Sequence, residues 1–108
     1  MTDRGRRASE ILRQLAAQYL SVESNRTSLI TVTDVDLSMD GKKATILITV
    51  MPVDASQNAL NFVKRKRSDF RSYVKKNSRL KRLPYFDFAI DEGEKNRRRI
   101  DELLNESR

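Results

Sequence analysis

The chain has 108 residues, room for one domain and one hydrophobic core, with hydrophobic residues at 38% and charged residues at 34% of the composition. It contains no Cys and no His, which removes disulfides, thiolate nucleophiles, imidazole bases and the common zinc ligand sets, and fits a reducing cytosol. Lys and Arg outnumber Asp and Glu by 22 to 15, net +7, and nothing resembles a signal peptide or the roughly 20 apolar residues of a membrane span, so the expectation is a soluble cytoplasmic protein.

Residues 6–22 (RRASEILRQLAAQYLSV) place Ala8, Ile11, Leu12, Leu15, Ala16 and Tyr19 three and four apart, which predicts an amphipathic first helix. Arg4, Arg6 and Arg7 beside this helix read as a disordered basic start rather than an RNA-binding arm. Residues 29–37 (LITVTDVDL) are rich in β-branched side chains and alternate, with a step at Thr33 and Asp34 that leaves the register across the two halves open. Asp40-Gly41 signals a hairpin, and residues 44–51 (ATILITVM) form its second, antiparallel strand. Pro52 cannot donate to a ladder and ends that strand; Asp54 or Ser56 then offers an N-cap.

Ala59, Leu60, Val63, Phe70 and Val74 continue a helical stripe. Ser68-Asp69 in its middle predicts a break or kink near Ser68, because these side chains cap helix starts and compete with the backbone in helix interiors. Leu80, Leu83 and Pro84 close the second of these helices. Residues 85–91 (YFDFAID) alternate Phe86, Phe88 and Ile90 against Tyr85, Asp87, Ala89 and Asp91 as a third strand. Residues 94–108 carry Ile100, Leu103 and Leu104 at helical spacing, a short C-terminal helix or else a disordered tail; Arg97, Arg98 and Arg99 there are balanced by Glu94, Asp101 and Glu102. Three strands covered on one face by helices make a two-layer α+β sandwich.

Charge is concentrated. Residues 64–82 (KRKRSDFRSYVKKNSRLKR) hold ten Lys or Arg against Asp69 alone, net +9, leaving 12 basic and 14 acidic residues, net −2, in the rest of the chain. A solvated helix face would mix signs, since like charges four apart, such as Arg67 with Arg71 and Arg71 with Lys75, each cost ~0.2–0.5 kcal/mol. One-sign charge on one segment is the footprint of a polyanion binder. A lipid surface would need a free apolar face, but this stripe is needed to cover the sheet, which favours nucleic acid. About six phosphate contacts would give a log–log salt slope of roughly −4 to −6. Ser72, Asn77 and Ser78 add neutral donors; Phe70 reads as core, and Tyr73 is open between core and base stacking.

Catalysis finds little support. The carboxylates are scattered, three glycines (Gly5, Gly41, Gly93) make no phosphate loop, and Asp87 with Asp91 reads as a solvated polar face rather than a metal pair. No catalytic residue, metal ligand or cofactor site is assigned.

The order of elements, together with RRASEILRQLAAQYL, LSMDGKKATILITV, FRSYVKKNSRLKRLP, YFDFAID and RRRIDELL, resembles the bacterial ribosome-binding factor A family across nearly the whole chain, most specifically in RLKRLPYFDFAID. The resemblance implies a type II KH-like fold, helix-strand-strand-helix-kink-helix-strand, over residues 1–92, with a tail at 93–108. It implies an Ala-x-Gly kink at the place held here by Lys66-Arg67-Ser68, with Ser68 as the interhelical hinge. It further implies a monomeric, non-enzymatic factor that binds the immature 30S subunit and precursor 16S rRNA, promotes late assembly and 5′-end maturation, leaves with help from a GTPase in some bacteria, and supports growth in the cold. The expected RNA-facing residues are Lys64, Lys66, Arg67, Arg71, Lys75, Lys76, Arg79 and Arg82, and reversing Arg71, Lys75 and Arg79 is expected to leave the fold unchanged. A general nucleic-acid-binding module using the same patch is the alternative, and an adaptor for an acidic protein a third.

Overall fold

A computed structural model describes residues 3–23 and 28–93. The elements are α1 (Asp3–Glu23), β1 (Leu29–Leu37), β2 (Lys43–Met51), a 3₁₀ turn at Val53–Ala55, α2 (Ser56–Arg65), α3 (Arg67–Asn77) and β3 (Tyr85–Ile90). This is the expected α+β order. The expected C-terminal helix lies outside the described residues.

The sheet runs β1-β2-β3. β1 and β2 form the antiparallel hairpin, whereas β3 pairs parallel to β2, so α2 and α3 together supply the crossover that parallel strands require. Alternation along β2 and β3 sends Ala44, Ile46, Ile48, Val50, Phe86 and Phe88 inward, where they meet Leu12, Leu15, Ala16, Tyr19 and Leu20 of α1, Ala59 and Val63 of α2, and Phe70 and Val74 of α3 in one core. Phe70 is fully buried at its centre, its ring centroid 5.4 Å from that of Tyr19, 5.0 Å from Phe86 and 5.8 Å from Phe88. Burying a side chain of this size contributes about 1.5–3 kcal/mol, and its ring contacts tie α3 to both α1 and β3.

The step in β1 is a bulge. Val32 opposes Ile48 and Asp34 opposes Leu47, with Thr33 left over; the extra residue resets which side faces in, so Ile30 and Val32 before it and Val35 and Leu37 after it all pack toward the core. At the other end of the hairpin Gly41 adopts φ +71, the left-handed conformation that an Asp-Gly turn uses.

Several local expectations are corrected. α1 begins at Asp3, so Arg4, Arg6 and Arg7 stand in its first turns instead of forming a disordered start; Arg is a good helix former and no Pro interrupts the turn. Neither Asp54 nor Ser56 caps α2: its N-cap is Ala55 without a side-chain bond. The 3₁₀ turn already engages the backbone there, Ala55 N–H donating to the Pro52 carbonyl at 3.0 Å, while the Ser56 hydroxyl points back to the Val53 carbonyl at 2.6 Å.

The interhelical break falls at Lys66 (φ −95, ψ 8), two residues before Ser68, which lies inside the first turn of α3 and does not cap it. Lys66 N–H bonds to the Val63 carbonyl at 3.0 Å and its own carbonyl accepts from Phe70 N–H at 2.8 Å, so the turn is hydrogen-bonded without a hydroxyl. Its dihedrals are open to any L-residue, which is why no small residue is needed in the Lys66-Arg67-Ser68 triplet. The change of direction lets α2 pack on β2 and β3 while α3 reaches α1.

α3 ends at Asn77, short of Leu80. The Asn77 amide donates to the Tyr73 carbonyl at 2.9 Å and the Ser78 hydroxyl to the Val74 carbonyl at 2.8 Å, so both side chains turn back onto the last turn of the helix. Leu80 and Leu83 pack against the core from the loop 78–84. β3 stops at Ile90, one residue before Asp91.

Candidate nucleic-acid interface

The basic segment divides into two groups by what its side chains touch. Lys64, Lys66 and Arg67 are only half-exposed and have intramolecular partners. Asp87 of β3 receives Arg67 at 3.3 Å and Lys64 at 3.8 Å, and Arg67 also donates to the Tyr85 hydroxyl at 2.9 Å. The Lys66 ammonium lies 5.7 Å from the centroid of the Phe62 ring. Asp87 is thus the counter-charge of the α2–α3 junction, and among the described residues no group of three or more acidic side chains is placed to hold a metal.

Arg71 is bound as well, to the carbonyl of the buried Pro84 at 2.8 Å. That bond pins the start of β3 to α3. Lys75, Lys76, Arg79, Lys81 and Arg82 are different: all are exposed, and among the described residues none has a side-chain hydrogen bond or ion pair. Lys75 and Lys76 occupy the last turn of α3, where cations also favour the helix dipole. Arg79, Lys81 and Arg82 stand on the loop, not on a helix as expected. Five cations without counter-charges among the described residues therefore cluster where α3 runs out into the 78–84 loop.

Fold topology adds two cations that the charge run does not contain. The loop delivers β3 beside the hairpin: Tyr85 N–H donates to the Lys42 carbonyl at 2.8 Å, and Lys43 is the register partner of Tyr85. Lys42 and Lys43, both exposed, thus stand where the loop that carries Arg79, Lys81 and Arg82 enters the sheet. Only the parallel β2–β3 pairing brings them there. The hairpin that presents them is braced by Asp40, whose carboxylate accepts from the Ser38 hydroxyl at 2.7 Å and from Lys42 N–H at 3.0 Å. These bonds, the hydroxyl first, hold its carboxyl below the usual range.

Of the two aromatic candidates, Phe70 and Tyr73, Phe70 is core. Tyr73 packs its ring 5.4 Å from Tyr19 and donates its hydroxyl to Gln18 at 3.2 Å, which closes the question left open in the sequence in favour of packing. Among the described residues the exposed aromatic is Tyr85, at 56%, which the sequence reading did not single out. Its place opposite Phe86 in the strand alternation was the available signal.

Comparison with known proteins agrees with this architecture. A family profile described as Ribosome-binding factor A matches residues 4–104. The ribosome-binding factor A of Thermodesulfovibrio yellowstonii is 33% identical over 105 residues, covering 95% of this chain and 89% of that protein. The crystal structure of ribosome-binding factor A from Thermus thermophilus aligns with a TM-score of 0.68 at 21% identity, over 76% of this chain and 90% of that one. A Thermus thermophilus ribosome binding factor A homology model fitted into a cryo-EM map of its complex with 30S aligns with a TM-score of 0.64 at 20% identity, over 75% and 88%. The two structural likenesses carry the fold, which is KH-like; the profile and the sequence relative carry the kinship, and on them the chain belongs to the ribosome-binding factor A family.

Proposed function

We propose that this protein binds the immature 30S subunit through precursor 16S rRNA and promotes late assembly of the subunit, including maturation of the rRNA 5′ end. The observation that carries the reading is the group of five exposed cations at the α3–loop end, Lys75, Lys76, Arg79, Lys81 and Arg82, left without counter-charges among the described residues. On a folded RNA they would meet phosphates and release counterions, so binding depends on shape and charge rather than on base identity. Lys64, Lys66, Arg67 and Arg71 contribute mainly by shaping the platform beneath them. The 30S complex of the Thermus thermophilus relative supports the same target.

In this reading the protein works as a monomer in the cytoplasm, as a binding factor without a catalytic step or cofactor. Residues 1–92 are the RNA-binding domain and 93–108 an appended tail. A ribosome-assembly GTPase would act in its release, and its loss would be felt most in the cold. Sedimentation of cell extract tests the core of it. Enrichment on free 30S subunits and absence from complete ribosomes is the expected result; an even spread over all nucleic acid would instead indicate a general nucleic-acid-binding module.

A further inference from the structure

We infer that Tyr85 is a stacking platform for an unpaired RNA base, so that the protein grips a single-stranded segment and not only a folded phosphate surface. The inference rests on the RNA-binding reading above and gives that site a specific ligand class.

Strand alternation sends Phe86 and Phe88 into the core and leaves Tyr85 and Asp87 on the opposite side. Tyr85 keeps 56% of its surface exposed, yet its ring is held. Arg67 donates to the Tyr85 hydroxyl at 2.9 Å, its guanidinium carbon lies 5.7 Å from the ring centroid, and Asp87 anchors that guanidinium at 3.3 Å. An exposed aromatic fixed at its polar end has already lost the freedom that binding would cost it.

The surroundings select the occupant. Lys43 is the register partner of Tyr85 on β2, and Arg79, Lys81 and Arg82 lie on the loop leading directly into it. A protein partner would seek further apolar surface, but the side chain held against the ring, Arg67, is charged, and the neighbouring positions in strand and loop are cationic. A nucleotide matches both parts, its base on the ring face and its phosphates on the cations. A paired base within a duplex hides its π-face in the helical stack, so the ligand must be unpaired.

The probes are a 12-nucleotide unstructured RNA carrying one 2-aminopurine and a 12-base-pair RNA duplex, titrated with the full chain at fixed salt. Stacking would quench the 2-aminopurine, and Tyr85→Ala should abolish the quench and weaken single-strand binding about tenfold while leaving duplex binding unchanged. Tyr85→Phe, which keeps the π-face and loses only the hydroxyl held by Arg67, should keep the quench and lose no more than a few-fold in affinity; Tyr85→Leu, which keeps apolar bulk without a π-face, should behave as the Ala variant. Thermal melts verify that each variant is folded. An undiminished quench in Tyr85→Ala, a Leu variant equal to Phe, or wild-type protein that fails to bind the single strand would each overturn the inference. Wild-type sedimentation with 30S subunits reports separately on the broader reading.

Discussion

The guanidinium of Arg71 donates a 2.8 Å hydrogen bond to the carbonyl oxygen of Pro84. In the linear sequence Arg71 is one more cation of the basic run; in the fold it fastens the loop 78–84 to α3 and sets where β3 begins. Reversing it therefore cannot be structurally silent. Arg71→Glu should lower stability by about 1 kcal/mol, the net worth of one such bond. Lys75→Glu and Arg79→Glu, which break no contact among the described residues, should stay within about 0.5 kcal/mol of the parent. Urea denaturation checks this, and equal midpoints for all three variants would show that the Arg71 bond contributes nothing.

A second tie fixes α3 against α1. The hydroxyl of the buried Tyr19 donates to the Asp69 carboxylate at 2.5 Å across 50 residues of sequence. Tyr19→Phe keeps the ring contacts with Phe70 and Tyr73 and removes the hydroxyl that reaches Asp69, for an expected loss of about 1–2 kcal/mol. Asp69→Ala should cost a similar amount, and the double variant little more than either single one, because both remove the same interaction. Additive losses would mean that the two groups act independently.

How far the sequence carried the fold depends on how local each decision is. The bulge at Thr33 was visible as a step in the alternation, and the stripe Ala59, Val63, Phe70, Val74 announced its buried face, because both are patterns of neighbouring residues. Leu80 and Leu83 misled: their three-residue spacing mimics helix, while the side chains of Asn77 and Ser78 close α3 first. Asp69 does stand in the first turn of α3, as a helix-start signal should, but its bond to Tyr19 is a contact between distant segments that no local pattern shows. The site was half legible for the same reason. Charge density was plain, but the withdrawal of Lys64 and Arg67 onto Asp87 and the arrival of Lys42 and Lys43 beside the loop both depend on β3 returning parallel to β2, a contact between distant segments.

That long-range arrangement predicts a salt dependence. If Lys42 and Lys43 meet phosphates together with the loop cations, replacing both by Gln should weaken 30S binding and reduce the magnitude of the log–log salt slope by about 1.5. Lys64→Gln should change the slope less, because its charge is partly spent on Asp87 at 3.8 Å. Binding isotherms at several salt concentrations decide the matter; an unchanged slope in the Lys42/Lys43 variant would remove the hairpin from the interface.

The hairpin that carries these lysines should also respond to pH. Asp40 has its carboxyl held below the usual range, first by the Ser38 hydroxyl and then by Lys42 N–H. The folded state thus binds this proton less tightly than the unfolded chain. The stabilisation it gives is present above the ordinary carboxylate range and is lost as pH falls through the lowered value, below about pH 4. Asp40→Ala should therefore be less stable than the parent at neutral pH, the gap closing on acidification. Gly41→Ala provides a control with no titrating group: nothing lies within 4 Å of the added Cβ, so its cost of about 1–2 kcal/mol comes from the left-handed backbone alone and should not vary with pH. A pH-independent gap for Asp40→Ala, measured by thermal melts from pH 3 to 7, would show that the carboxylate does not brace the turn.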